Sequence, residues 1–202
     1  MTVPPPMVLA SGSPRRARIL EMLGLSFQVV PARIAESLLP GEDPREHVRR
    51  LATAKARAVA AEKPDALVLA GDTVVVLDEE ILGKPGNDAD AAEKMLLRLS
   101  GRTHRVLSAV ALSAPDRDVR ARVDWADVTF RGVSADEIGS YVATGEPADK
   151  AGGYGIQELG AALVDSISGD YYAVVGLSVV GLVALLEEAG WGYRFGSLRP
   201  LS

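Results

Sequence analysis

The sequence contains no cysteine and only two histidines, His47 and His104. Without cysteine there is no disulfide bond and no cysteine-ligated zinc, and the composition is compatible with a reducing cytoplasm. Two histidines are also too few for a histidine-rich metal site. Any bound metal is therefore expected to be a hard cation with oxygen ligands, magnesium or manganese in character.

Positive charge and long apolar runs are scarce as well. The chain has 22 Lys and Arg against 27 Asp and Glu, a net charge of −5, which argues against a general nucleic-acid surface. The proline-rich start, residues 1–6, has neither the charged region nor the long apolar run of a targeting segment. The most apolar late stretch, residues 172–186, is interrupted and too short to span a bilayer. We therefore expect a cytoplasmic protein without a membrane partner.

The 202 residues are 48% hydrophobic and 24% charged, which is enough for one sizeable core or two small subdomains. A βαβ-like opening is followed by two long segments, residues 103–112 and 119–130, that resemble antiparallel strands. This order predicts an α/β fold with a mixed sheet. We expect a single domain over residues 1–202, with its core in 7–190 and a second lobe at roughly 103–160.

Local signals predict where several elements begin and end. Asp43, followed by a proline and then by Glu46, is typical of a helix start, and Ser134 with Glu137 forms a capping box. Gly24 is predicted to end the first helix. Towards the end of the chain we expect a strand over 161–164, a hairpin around 168–170, a closing helix over 177–189 and a frayed tail after residue 190.

Residues 11–16, Ser-Gly-Ser-Pro-Arg-Arg, connect a short apolar strand to a helix start. Ser13 suits the N-cap position and Pro14 the first helical position, while Gly12 permits a tight or left-handed turn. Arg15 and Arg16 fall in the first turn, where cations are unfavourable unless an anion offsets them. The turn is therefore either a phosphate site or a solvated basic surface.

Asp72 is the strongest catalytic candidate. It comes directly after the apolar run 67–70, so we expect it at the end of a buried strand, at an edge of the sheet where ligand crevices form. A carboxylate there can bind a divalent cation or deprotonate water. Taken alone, Asp72 can also be an aspartate that makes a local turn. Glu36 is a second candidate carboxylate, but the sequence gives no distance between it and Asp72.

Two lysines stand out by their neighbours. Lys55 lies in a helix otherwise lined by alanine and leucine, so its ammonium either reaches solvent or meets a buried anion. Lys84 lies between Gly83 and Pro85, which suits a rigidly presented charge. Each can be a plain surface lysine, but together with the two arginines they could bind a triphosphate.

The glycine-rich run 149–157 matches neither the P-loop nor the dinucleotide fingerprint. It permits a close backbone approach, and Gln157 at its end carries one amide donor group and one acceptor, which fits the edge of uracil or thymine. The alternative is a loop that serves packing alone.

His104 lacks the partners of a hydrolase triad, and we expect it to be structural or to act only indirectly.

Several of these motifs occur together and in order. They are L-A-S-G-S-P-R-R at 9–16, L-A-G-D-T-V-V at 69–75, G-K-P at 83–85, S-G-R-T-H at 100–104, G-E-P-A-D-K-A-G-G-Y-G-I-Q at 145–157 and Y-x-x-V-V-G-L at 171–177. This set closely resembles the Maf family of nucleoside triphosphate pyrophosphatases over about residues 7–190. One departure is Ser178, where the family usually has proline, and we expect only a local effect on the last helix.

The resemblance implies a fold similar to the inosine triphosphatase group, an elongated mixed sheet with helices and two lobes around a cleft. It implies hydrolysis between the α and β phosphates, giving a monophosphate and pyrophosphate, with a divalent metal such as Mg²⁺ or Mn²⁺. By position Asp72 matches the catalytic acid or base, and with Glu36 it would hold the metal. The matching phosphate-binding residues are Ser11, Arg15, Arg16, Lys55 and Lys84.

Three positions, Arg15, Thr73 and Gln157, resemble the branch of the family that hydrolyses dTTP, UTP and modified pyrimidine nucleotides. Alternatives are a 7-methyl-GTP or damaged-purine pyrophosphatase, and a non-catalytic regulator of cell division that binds nucleotides or nucleic acid. The acidic charge balance weighs against the regulator. The expected partner is thus a nucleoside triphosphate rather than nucleic acid, and formation of a homodimer is left open.

Overall fold

A computed structural model describes residues 3–201, so Met1 and Thr2 of the proline-rich start lie outside the described residues, as does Ser202. The strands are β1 Met7–Leu9, β2 Gln28–Val29, β3 Leu67–Leu77, β4 Glu80–Leu82, β5 Thr103–Ser113, β6 Arg120–Phe130, β7 Val164–Gly169, β8 Trp191–Tyr193 and β9 Leu198–Pro200. The helices are α1 Pro14–Met22, α2 Pro44–Ala60, α3 Ala89–Leu99, α4 Ala135–Val142, α5 Tyr171–Val175 and α6 Val179–Glu188. Short 3-10 helices cover Glu146–Asp149, Ala151–Gly153 and Leu159–Leu163.

Seven of the strands form one mixed sheet in the order β2-β1-β3-β5-β6-β7, with β4 paired to β3. Strand β1 is parallel to both β2 and β3. Strand β4 runs antiparallel to β3, and β7 runs antiparallel to β6. Parallel strands require crossover connections, which α1 and α2 supply. The predicted α/β class with a mixed sheet is confirmed.

The chain divides into two compact units. The first unit contains the residues up to Asp72, Ser108–Asp124 and the chain from Gly176 onward, and the second contains Thr73–Leu107 and Trp125–Val175. Three of the four boundaries fall inside β3, β5 and β6, and the fourth follows α5. The second unit has its own apolar core, in which residues of β3 to β6, α3 and α4 pack around Phe130.

The predicted helix starts are confirmed at atomic detail. The Asp43 carboxylate accepts hydrogen bonds from the backbone N–H groups of Arg45 and Glu46. Ser134 and Glu137 form the reciprocal capping box of α4. Gly24, at φ +69°, follows the last turn of α1 in the left-handed conformation that favours glycine. These signals are local in sequence, which is why they were readable before the fold was known.

Strand β3 contradicts the prediction that a strand ends at Ala70. It continues without interruption from Leu67 to Leu77, so Asp72 lies inside a strand in the interior of the sheet order and not after a strand end. The turn at Asp78 and Glu79, both at positive φ, then leads into β4.

The end of the chain differs from the prediction in three places. Leu159–Leu163 is a 3-10 helix, where a strand was expected over 161–164. Residues 164–169 form β7, paired antiparallel to β6, and α5 follows directly, so there is no hairpin at 168–170. The tail is not frayed, because β8 and β9 pair from Trp191–Pro200 to Tyr193–Leu198. Helix α6 covers Val179–Glu188 of the helix expected over 177–189, and the hydroxyl of its N-cap Ser178 accepts a hydrogen bond from the N–H of Gly181 at 2.9 Å. Among residues 3–201, no helix combines the length and apolar character needed to cross a membrane.

Candidate active site around Lys55 and Asp72

Two carboxylates converge on one buried lysine in the first unit. The Lys55 Nζ lies 2.7 Å from Asp72 Oδ1 and 3.0 Å from Glu36 Oε1. Lys55 is only 7% exposed, and Asp72 is equally buried, whereas half of the Glu36 side chain is open to solvent. Of the two alternatives for Lys55, the buried anion is therefore confirmed.

The amphipathic pattern of α2 explains why Lys55 points inward. Leu51 and Val59 lie four residues before and after it, and these positions share one face of a helix. Both are buried, as are Ala52 and Ala56. The lysine stem thus lies among apolar side chains while its ammonium reaches the carboxylate of β3.

The loop that carries Glu36 is held to α2 by charged hydrogen bonds. Arg50 donates from Nη2 to Glu42 Oε2 at 2.7 Å and to the carbonyl oxygen of Ser37 at 3.1 Å. His47 Nδ1 lies 2.8 Å from the same carboxylate. The hydrogen bond from Arg50 is the main cause that lowers the pKa of Glu42 to about 2, so the carboxylate stays ionised and the loop stays attached at neutral pH.

The turn over residues 11–16 is organised around the hydroxyl of Ser11. Its Oγ accepts hydrogen bonds from the Ser13 N–H at 3.2 Å and from Arg16 Nη1 at 2.9 Å. Ser13 occupies the predicted N-cap position, but its side chain makes no capping hydrogen bond. Gly12 does not adopt the left-handed conformation that it would permit.

Arg16 also donates from Nε to the carbonyl oxygen of Gly176, at 2.8 Å. A Cβ on Gly71 would lie 3.0 Å from this Nε, so the glycine beside Asp72 allows the guanidinium to pack against β3. Burial lowers the pKa of Arg16, and the negative charge of Asp72 opposes this effect. Arg16, Ser11 and Asp72 are thus parts of one charged region, together with Lys55.

Arg15 lies in the first turn of α1, in the first unit, and is partly buried. The other predicted residues, Thr73, Lys84 and Gln157, belong to the second unit. Thr73 is the next residue of β3 and is partly buried. Lys84 is exposed in a loop whose Gly83 carbonyl oxygen accepts a hydrogen bond from the Gly152 N–H at 3.1 Å. Gln157 is exposed near the end of the glycine-rich run.

Glycine-rich residues 145–160 pack closely against their own unit. Gly152 has φ +71°, and a Cβ there would lie 2.8 Å from Val75 Cγ2.

Sequence reasoning missed the charged residues that order this segment, Lys150 and Glu146, although the acid-lysine pair 149–150 inside the motif was a visible signal. It also missed Arg50 and Glu42, for which no local pattern offers a signal because the contact spans eight residues and a loop.

His104 lies in the core of the second unit. Its Nε2 is 2.8 Å from the Tyr154 hydroxyl, and its ring contacts Phe130 edge to face. Burial is the main cause that lowers the pKa of His104 to about 4, so the ring is neutral at physiological pH. These contacts agree with the structural role expected for it.

The donor set of the first unit suits a hard cation that is shared with a substrate. Over residues 3–201 no group of three or more His, Asp or Glu side chains could hold a metal by itself. Glu36 and Asp72 nevertheless both contact the Lys55 ammonium, and magnesium is typically held by one or two carboxylates together with substrate phosphates. These residues therefore fit a divalent cation that arrives with a phosphorylated ligand.

Fold and site together define an α/β protein with a charged cluster built on the interior of a mixed sheet. The family described as Maf-like protein matches residues 6–189, and the chain belongs to this family. A relative named dTTP/UTP pyrophosphatase from Moorella thermoacetica is 51% identical and covers 92% of this chain and 97% of its own. One of the same name from Symbiobacterium thermophilum is 49% identical over 92% of this chain and 94% of its own.

Among solved structures, the chain is similar to a HAM1 protein from Coxiella burnetii, with a TM-score of 0.43 and 21% identity over 61% of this chain and 72% of that one. The Ham1 protein of Staphylococcus aureus gives a TM-score of 0.44 and 17% identity over 61% and 71% of the two chains.

Proposed function

We propose that this protein is a nucleoside triphosphate pyrophosphatase that hydrolyses dTTP and UTP to the monophosphate and pyrophosphate. Relatives of that name share about half of their residues with it over nearly the whole chain. The observation that carries the proposal at the level of chemistry is the buried Lys55–Asp72 pair with Glu36 at its open side. Charged groups are kept inside a protein only when they are paired, and such clusters are frequent at functional sites.

Asp72 is the proposed general base. Its Oδ1 is held by Lys55 at 2.7 Å, which fixes the orientation of the carboxylate. A water molecule in contact with this carboxylate would transfer a proton to it while the water oxygen bonds to phosphorus. The anhydride bond between the α and β phosphates then breaks, and pyrophosphate leaves with the bridging oxygen.

Cationic side chains stabilise the charge that develops on the leaving pyrophosphate. Arg15 and Lys84 are the proposed direct phosphate ligands. Arg16 already donates to Ser11 and to Gly176, so we assign it to holding the turn in shape while its charge adds to the local field. Preorganised cations of this kind supply a large share of the rate in phosphoryl chemistry.

Glu36 and Asp72 would hold a divalent cation, Mg²⁺ or Mn²⁺, which when bound neutralises phosphate charge and polarises the scissile anhydride. Thr73 and Gln157 are proposed to select the base, Gln157 through its amide. Cytoplasmic localisation stays a prediction.

A panel of dTTP, UTP, CTP, GTP and 7-methyl-GTP, with separate detection of pyrophosphate and orthophosphate, tests the proposal. We expect pyrophosphate and monophosphate in equal amounts from dTTP and UTP, with loss of turnover when EDTA removes divalent cations. Orthophosphate as the product, or a preference for 7-methyl-GTP, would contradict the proposal. A salt-dependent DNA complex with no turnover of any triphosphate would favour the regulator instead.

A further inference from the structure

Lys150 is a buried lysine that the proposed reaction does not use. It is only 6% exposed and lies in the second unit, between two of the short 3-10 helices. Its Nζ donates to the carbonyl oxygen of Glu146 at 2.9 Å and to Asp149 Oδ1 at 3.0 Å. Glu158 Oε2 lies 3.1 Å from the same nitrogen.

Three oxygens thus surround an ammonium group that carries three N–H donors. This arrangement makes Lys150 a poor candidate for binding a phosphate, because a new anion would have to displace one of the existing partners. Its contacts instead join Glu146 and Asp149, at the start of the glycine-rich run, to Glu158, at its far end.

Gly155 provides the space for this connection. A Cβ at this position would lie 2.7 Å from Lys150 Cε and 3.0 Å from Cδ, so the lysine stem passes directly over the backbone of the run. A side chain at 155 would therefore displace the Lys150 stem from the position in which it contacts Glu158.

Glu146 holds the same run from a second side. Its carboxylate accepts hydrogen bonds from the backbone N–H groups of Leu159 at 2.9 Å and Gly160 at 3.0 Å, and from the Tyr141 hydroxyl at 2.9 Å. Gln157 is exposed between the fixed positions 155 and 158. An exposed glutamine on a short loop would otherwise sample many orientations.

We propose that Lys150 is a positioning residue for base selection, which acts by holding Glu158 and thereby the backbone on which Gln157 is presented. This inference rests on the proposed function, in which the Gln157 amide contacts the pyrimidine. A hydrogen bond discriminates between bases only when its donor and acceptor are held in place, so loosening the loop reduces selectivity before it reduces the chemistry.

The test uses Glu158→Gln, which removes the charge with little change of shape, and Lys150→Met, which removes the ammonium. Lys94→Met, at an exposed position of α3, is the matched control in the same unit. For both test variants we expect the KM for UTP to rise about tenfold with little change in kcat, which corresponds to the net worth of about one hydrogen bond. Activity on CTP should stay within twofold, so the UTP to CTP selectivity ratio falls.

A combined variant, Gln157→Ala with Glu158→Gln, should lose no more selectivity than Gln157→Ala alone, because both changes act through the same amide. An equal loss on UTP and CTP in Glu158→Gln, or an unchanged ratio in both test variants, would overturn the inference. Wild-type protein that releases no pyrophosphate from any triphosphate would contradict the proposed function instead, and so the two failures are distinguishable. Thermal unfolding shows whether Lys150→Met has a folding defect. If it has one, the selectivity ratio of Glu158→Gln decides the outcome.

Discussion

Lys55 carries a full positive charge into the apolar face of α2, and only its carboxylate partners make this burial tolerable. The two partners differ in their exposure. Asp72 is buried, so its interaction with Lys55 is weakly screened, whereas about half of the Glu36 side chain is in solvent. The two ion pairs therefore contribute unequally to folding.

We predict that Lys55→Met lowers the free energy of unfolding by about 3 to 5 kcal/mol, because it leaves the Asp72 carboxylate buried without its cation. Glu36→Gln should cost at most about 1 kcal/mol, since the exposed pair is screened by water. Urea unfolding at pH 7 measures both values, with Lys63→Met, beyond the end of α2, as the matched control. Equal losses for the two variants would show that the buried pair is not the dominant interaction.

The position of Lys55 was readable from sequence because its helix neighbours are apolar at helical spacing. The identity of its partners was not, because Glu36 and Asp72 come from a loop and a strand that only the fold brings to α2. The same limit applied to Ser11, whose hydroxyl replaces that of Ser13 in ordering the basic turn.

Among the helices and strands, residue patterns within one turn predicted the structure correctly. Features that depend on pairing with a distant strand were not predicted. The caps of α2 and α4 were predicted correctly from four residues each. Asp72 was expected at the end of a strand, yet β3 continues through it, and Gly71 leaves room for the Arg16 guanidinium. A hairpin was expected around 168–170, but Ser168 and Gly169 pair with β6 as part of a strand, and the β8–β9 pairing orders the tail.

The glycine-rich run gives a prediction at this scale. Gly152→Ala should destabilise the protein by more than Gly145→Ala, although both glycines have positive φ, +71° and +77°. A Cβ at 145 meets nothing within 4 Å, so its cost is the backbone strain of about 1 to 2 kcal/mol. At 152 the contact of 2.8 Å with Val75 adds overpacking of about 1 to 3 kcal/mol more.

Chemical denaturation of the two alanine variants measures this difference. A similar loss of stability in both would mean that the segment moves away from Val75 at no cost, and that its close packing is not required.

For the whole molecule, the α/β class followed from the order of apolar segments, and the mixed sheet followed from the two long central strands. A second lobe was expected, but the bounds of the two units could not be read from the sequence, because three of the four boundaries cut through β3, β5 and β6. A continuous strand has the same local pattern on both sides of such a boundary.

The molecule should lose stability in mild acid because of His104. In the unfolded chain histidine binds a proton below about pH 6.5, whereas in the folded protein burial lowers the pKa of His104 to about 4. The unfolded state therefore binds more protons between these values, and the free energy of unfolding falls as the pH decreases from 6.5 to 4. We expect a loss of about 2 kcal/mol between pH 7 and pH 5.

His104→Gln should remove most of this pH dependence in urea unfolding at pH 7 and pH 5. Hydrogen bonds from Arg50 and Arg131 lower the pKa values of Glu42 and Glu137 to about 2. These two carboxylates lose their stabilising effect only as the pH falls below about 4.5, so they do not mask the loss of stability that His104 causes between pH 7 and pH 5. If the stability of His104→Gln depends on pH as strongly as that of wild type, the loss in acid comes from another titratable group.

The most direct test of the account is the rate of pyrophosphate release from dTTP by Asp72→Asn, compared with wild type and with Asp65→Asn on an exposed site of the same unit. If Asp72 accepts the proton of the attacking water, kcat/KM falls by about 10² to 10⁴ in Asp72→Asn and is unchanged in Asp65→Asn. Pyrophosphate release within tenfold of wild type in a folded Asp72→Asn protein would contradict the mechanism.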